Sequence, residues 1–182
     1  MAVVAVLAAE GLQVAGNRSI RRFLRHVCSG PWLVRRHFPA SAMRNIEAAV
    51  ARSEAGHSGE IRFVVEAALH PFDLLRGVTP RQRAIELFAR LGIWDTQHNN
   101  GVLIYLLLAD HDVEIVADRG VDHEVGTQGW QAICLEMEAA FRQGCFENGV
   151  ITGIARISDL LRQQFPTDVA NDNELPDAPL VL

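Results

Sequence analysis

Residues 102–109 read VLIYLLLA, an unbroken apolar run between the polar turns HNNG (98–101) and DHD (110–112). A strand with one face in water alternates polar and apolar side chains, and this run does not, so both of its faces must be covered. It is also far short of the roughly 18 apolar residues a membrane span needs. A buried central strand with helices on either side satisfies the run. The chain then returns as VEIVAD (113–118), which predicts a hairpin with a tight turn at His111 and Asp112.

The flanking segments supply the helices. Ala42, Met43, Ile46, Ala49 and Val50 recur at helical spacing over residues 40–55. GEIRFVVEAAL (59–69) is rich in β-branched residues and predicts a strand. VTPRQRAIELFARLG carries its own punctuation: Thr79 as N-cap, Pro80 at the first helical position, Gln82 completing a capping box, and Gly92 at the end. Thr127 is expected to cap a helix whose Trp130, Ile133, Cys134, Met137 and Phe141 form one stripe, and core packing is the reading of that stripe. A last helix is expected over residues 147–164. The order predicts an α/β fold, a three-layer α/β/α sandwich around a small mixed β-sheet with a central hairpin. A right-handed crossover through residues 80–91 makes strand 59–69 parallel to strand 102–109.

Three regions are expected: a leader and basic amphipathic arm over 1–38, a core domain over 39–165, and a disordered tail over 166–182, where there is too little to bury. The arm stands out by charge. The net charge is −5, yet seven arginines and no acid fall between Gly11 and Ile46. Arg18, Arg21, Arg22, Arg25, Arg35 and Arg36, mixed with Phe23, Leu24, Val27 and Trp32, could lie on an anionic membrane, or pack on the domain with solvated guanidiniums. No nucleic-acid-reading motif accompanies the charge, so no nucleic acid is expected as partner. Cys28, Cys134 and Cys145 have no metal-ligand spacing, and with no basic signal sequence the chain is expected in the cytoplasm, peripheral to the inner membrane at most.

The hairpin sorts the polar residues. With the turn at His111 and Asp112, Asn100 faces His123, Gly101 faces Asp122, and Asp118 lies opposite Tyr105. Asp110 and Asp112 then sit more than about 20 Å from Asn100 and read as turn formers. Asn99, Asn100, Asp118 and Asp122 gather at the other end, with Asp95 in the preceding loop and Glu60 opening the parallel strand. Carboxylate and amide oxygens without cysteine suit a hard cation, calcium or magnesium; the alternative is a solvated rim in which NNG accommodates positive φ. A helix starting at Thr127 and Gln128 near this rim would offer an anion site.

The stretch LFARLGIWDTQHNNGVLIYLLLADHDVEIVADRGVD resembles the core motif of the TPM domain family. The likeness is carried by Phe88, Gly92 and Ile93, by Asn99, Asn100 and Gly101, and by Asp110, Val113, Ile115, Gly120 and Asp122; SGEIRFVV resembles the family's first strand. The resemblance covers about residues 41–163 and implies an α/β/α sandwich. It implies a divalent cation bound in an acidic cleft, as in some relatives, and acid phosphatase activity, as proposed for plant members. Asn100, Asp122 and, more loosely, Glu60 match acid or amide positions of the family. Val116 stands where the family has an acid, Asp118-Arg119-Gly120 replaces a Gly-Tyr-Gly turn, and Thr127 replaces another acid.

Three functional expectations follow: a divalent-cation-binding module, a metal-assisted phosphatase acting on phosphomonoesters, and a non-enzymatic adaptor docking through the basic arm. No G-x-x-x-x-G-K-[ST], G-x-S-x-G or H-E-x-x-H motif is present to choose an enzyme class.

Overall fold

The computed structural model describes residues 19–166 and 173–182. Two short helices open it, α1 over residues 19–28 and α2, Pro31–His37. The elements that follow are α3 (Ala40–Glu54), β1 (Glu60–Glu66), α4 (Pro71–Leu75), α5 (Pro80–Arg90), β2 (Gly101–Leu107), β3 (Asp112–Ala117), α6 (Arg119–Arg142), α7 (Phe146–Gln164) and β4 (Leu180–Val181). The sheet runs β3-β2-β1-β4. β1 is parallel to β2 and to β4, and β3 is antiparallel to β2, so the sheet is mixed.

Every residue of β2 is buried, as its lack of alternation requires. Val102, Ile104 and Leu106 join Ile61, Phe63, Val65, Val113 and Ile115 on the face covered by α3, α6 and α7. Leu103, Tyr105 and Leu107 turn to the other face, against Ala84 and Leu87 of α5. At about 1.5–3 kcal/mol per large apolar side chain buried, this strand contributes strongly to stability. Thr79 and Gln82 form the expected capping box, and Gly92 (φ 68°) ends the turn after α5.

The hairpin register differs from expectation. Leu107 pairs with Asp112 and Tyr105 with Glu114, so the connection is a four-residue loop, 108–111, with His111 at φ 55°. The chain turns about two residues before the expected position: Leu108 and Ala109 donate to Glu66 O and Ala67 O on β1, while Asp110 N and His111 N bond back to Leu107 O and Leu108 O. Asp118 therefore stands beside Gly101, donating its N–H to Gly101 O at 2.9 Å, and not opposite Tyr105; the Asn100–His123 and Gly101–Asp122 pairings do not form.

The tail is a second correction. Of the tail expected to be disordered, 166–182, residues 167–172 lie outside the described residues, but Leu180 and Val181 pair with Val64 and Val65. Arg62 donates to the carbonyls of Pro176 and Ala178, and Glu60 accepts from Leu175 N at 3.2 Å. A parallel edge this short needs such side-chain anchors. The arm also docks: Val34 and Phe38 enter the core, and His26 is buried. Arg18 and the remainder of the expected leader lie outside the described residues. No helix among the described residues is long and apolar enough to cross a membrane.

Candidate functional site

The corner where β2 begins and β3 ends holds the residues expected to form a site. Asn99 takes φ 51° to close the turn, as a short polar side chain can, and is exposed. Asn100 is fully buried: its N–H donates to Thr96 Oγ1 at 3.1 Å and its Nδ2 to Ser58 O at 2.7 Å. Gly101 needs no positive φ. A Cβ there would run into the carbonyl oxygen of Ile93, so glycine is required by close approach of the backbone. A Cβ on Gly120 would lie 2.5 Å from Asn99 O, which brings the 98–99 carbonyls against the start of α6.

Asp118 is the N-cap of α6, with Oδ1 accepting from Arg119 N at 2.6 Å. A helical segment not expected from the sequence thus begins at Arg119, ahead of the helix expected from Thr127. α6 is interrupted at Gly126 (φ 68°, ψ 163°), so Thr127 and Gln128 open its second segment and are exposed. The missed start has a visible signal, an Asp before Arg-Gly-Val-Asp, the pattern of a capped first turn.

The remaining candidates are not drawn into this corner. Glu60 is buried and held by the tail, and its carboxyl is raised by burial, with Glu174 and Asp177 adding to the effect. Asp95 is exposed in the turn. Asp122 Oδ1 accepts from Trp130 Nε1 at 3.0 Å, which ties the first turn of α6 to its second segment. His98 and His123 are exposed. Asn99, Asn100, Asp118, Asp122, Glu60 and Asp95 therefore do not form one cage. No group of three His, Cys, Asp or Glu among the described residues is arranged to hold a metal ion.

Two buried acceptors at the corner nevertheless have no donor, Asp118 Oδ2 and Asn100 Oδ1. Leaving such an oxygen unpaired costs about 1–3 kcal/mol, more for a charged group, so each calls for a water or a cation. The two flank Gly101, Asn100 bonded toward the β1 side and Asp118 closing α6. The donor chemistry is one carboxylate with neutral amide and carbonyl oxygens. That fits a hard cation held weakly, as for calcium, and does not fit zinc.

A groove of about 350 Å³ lies along the β3 edge, lined by Arg81, Asp122, Thr127, Trp130, Gln131 and Cys134, together with Glu114 and Ile115. Arg81 donates to Ile115 O and lies 3.4 Å from Glu114, which blunts the exposed strand edge. Burial pushes the Cys134 thiol up to about 12, so it is not a nucleophile. All three cysteines are free.

Sequence reasoning passed over the buried polar groups elsewhere. Glu66 accepts from Tyr105 OH at 2.7 Å and from Arg83 Nε and Nη2 at 2.9 and 3.0 Å, inside the face covered by α5. Its signal was a lone acid inside the apolar run RFVVEAAL. His57 is buried, with Nδ1 donating to Gly59 O at 3.0 Å and Nε2 accepting from Ser158 Oγ at 3.2 Å. At the far end of the sheet Asp110 receives Arg22, Arg25 and His26 from the arm. It is an anchor as well as a turn former.

Solved structures share this architecture. The BA42 protein from the psychrophilic bacterium Bizionia argentinensis is 28% identical, with a TM-score of 0.71, over 80% of this chain and 95% of that one. The N-terminal domain of a P. gingivalis protein, 17% identical with a TM-score of 0.53 over 68% of this chain and 76% of that one, shares the fold. No functionally curated protein matches the chain. The family model for the TPM domain matches residues 37–160, the span that contains the sheet strands β1 to β3, the Asn100–Asp118 corner and most of α7, and the chain belongs to the TPM domain family.

Proposed function

We infer that this TPM domain is a divalent-cation-binding module whose cation sits at the α6 N-cap, with Asp118 as its single carboxylate ligand. One observation carries the reading: Asp118 Oδ2 is a buried carboxylate oxygen with no donor. Its neighbours supply further hard oxygens, the Asn99 carbonyl packed on Gly120 and the unpartnered Oδ1 of Asn100. Affinity follows ligand charge, so a site with one carboxylate belongs near the weak end, on the order of 10⁻⁴–10⁻³ M for calcium. The cation would neutralise Asp118 and fasten the β2 start to α6. This reading is a binding function, and the residues it uses do not include Thr127 or Gln128, which open the segment beyond Gly126.

Calcium and magnesium titrations read by thermal unfolding test it. Millimolar calcium raises the melting temperature of the native chain by mass action and leaves Asp118→Asn unmoved. An unchanged melting temperature for the native chain, or an equal rise in Asp118→Asn, sinks the assignment.

A further inference from the structure

The arm presents an apolar face that nothing in the described chain covers. Ile20, Leu24 and Val27 on α1, Trp32 on α2, and Phe72 and Leu75 on α4 are 55–74% exposed. On α1 the three are spaced four and three apart, which makes one stripe. Arg22 and His26 lie on the opposite side of that helix, turned inward to Asp110. The stripe therefore points away from the body because the buried side of α1 is fixed.

The three helices share one surface. His26 Nδ1 accepts from Leu69 N at 2.9 Å and Arg22 Nη2 donates to Val78 O at 3.3 Å, so α1 lies along the segment 69–78 that contains α4. The Trp32 ring folds back over Gly30, at the C-terminal end of α1. A contiguous apolar patch of this kind marks an interaction surface.

Charge identifies the occupant. Arg21, Arg35, Arg36 and Arg76 are exposed around the patch, and their side chains make no hydrogen bond or ion pair among the described residues. Residues 19–46 contain no acid, and Asp73 is the single acid in 67–81, while the remainder of the chain is acidic. Among the described residues this face combines exposed apolar side chains with unpaired arginines, the arrangement that suits an anionic bilayer, with aliphatic and indole side chains leading and guanidiniums at the phosphate level. The stripe stands on the outward side of a helix, and none of its residues lines the β3 groove.

We propose that the face formed by α1, the start of α2 and α4 docks the domain on an anionic lipid bilayer. Arg22 and Arg25 are not lipid ligands in this arrangement, because Asp110 holds both. The proposal is independent of the cation reading and uses none of its residues.

Co-sedimentation of the full chain with vesicles tests it, comparing phosphatidylcholine alone with an equal mixture of phosphatidylcholine and phosphatidylglycerol. The chain binds the mixed vesicles, binding weakens with added salt, and neutral vesicles bind far less. Reversal of Arg21, Arg35 and Arg36 to Glu weakens binding by roughly fivefold or more per position. Leu24→Ser with Val27→Ser weakens it at unchanged charge, and all five positions are exposed, so thermal unfolding confirms that the variants stay folded. No binding to mixed vesicles, equal binding to neutral ones, or variants that bind like the native chain overturns the proposal. A concentration-dependent dimer abolished by Leu24→Ser with Val27→Ser, without vesicle binding, assigns the face to a second copy and overturns it equally.

Discussion

His26 Nε2 lies 3.1 Å from Asp110 Oδ2, joining the first helix to the loop between β2 and β3. The geometry also sets the tautomer, since Nδ1 accepts from Leu69 N and the proton must be on Nε2. Arg22 and Arg25 complete the clamp at 2.8 and 2.9 Å. Burial pushes the Asp110 carboxyl up, but the His26 and Arg22 contacts outweigh it and hold it below its ordinary value.

Removing this anion should release the arm. Asp110→Asn leaves three donors facing an amide and should lower unfolding stability by about 2–3 kcal/mol in urea titrations. Because the folded carboxyl is depressed, its stabilisation is present at neutral pH and is lost as pH falls through the folded value. Faster hydrogen exchange in residues 19–28, with β2 unchanged, would show that the arm opens first.

The Glu66–Arg83–Tyr105 network is asymmetric in its response. Arg83→Met leaves Glu66, 7% exposed, without its charge partner and should cost about 3–5 kcal/mol. Tyr105→Phe removes one hydrogen bond to a carboxylate that keeps its arginine, and should cost about 1.5–3 kcal/mol. A double-mutant cycle should show strong coupling, because both donors share Glu66 Oε2.

Stability should peak on the acid side of neutrality. Burial lowers His57 from 6.5 to about 4, with Arg162 adding to the effect, so the folded state binds fewer protons there and stability falls as pH drops from 6.5 towards 4. Burial raises Glu54 from 4.5 to about 8, with Glu60 and Asp177 nearby, so stability falls as pH rises from 4.5 towards 8. The two trends oppose each other between 4.5 and 6.5, where Asp112, raised by burial to about 6, acts in the same direction as Glu54; above 6.5 the His57 trend no longer opposes the Glu54 one. Urea midpoints measured across this range should decline from pH 6.5 to 8 in the native chain. Glu54→Gln, which mimics the protonated acid, should flatten that decline; an undiminished slope in the variant would exclude Glu54 as its source.

Gly101→Ala tests the corner without touching a charge. The new methyl meets the Ile93 carbonyl, a backbone group that no rotamer change can move aside. A loss of about 1–3 kcal/mol is expected from overpacking. Gly77→Ala makes a useful contrast: nothing lies within 4 Å of its Cβ, so only the strain of its φ of 72° is introduced.

Much of the fold was legible along the chain because the signals are local. The apolar run 102–109 demanded a strand covered on both faces, and β2 is buried at every position. Thr79, Pro80 and Gln82 delimit α5 through hydrogen bonds made within a single turn. The TPM motif shares those local features, so family and architecture could be read together.

Tertiary structure decided what depends on partners distant in sequence. The hairpin turns about two residues earlier than a tight turn at His111 and Asp112 would place it, because Asp110 and His111 bond back to the Leu107 and Leu108 carbonyls while Leu108 and Ala109 stay on β1. The tail carries too little apolar surface to order itself, yet Arg62 and Glu60 capture its backbone and β1 offers an edge. Those captures also divide the expected ligand set. Glu60 turns to the tail, Asp122 to Trp130 and Asp110 to the arm, while Asp118 and Asn100 keep unpartnered oxygens. The carboxylate and amide residue types at this corner were set by the sequence, and which of their oxygens stay available was set by the competition among buried donors.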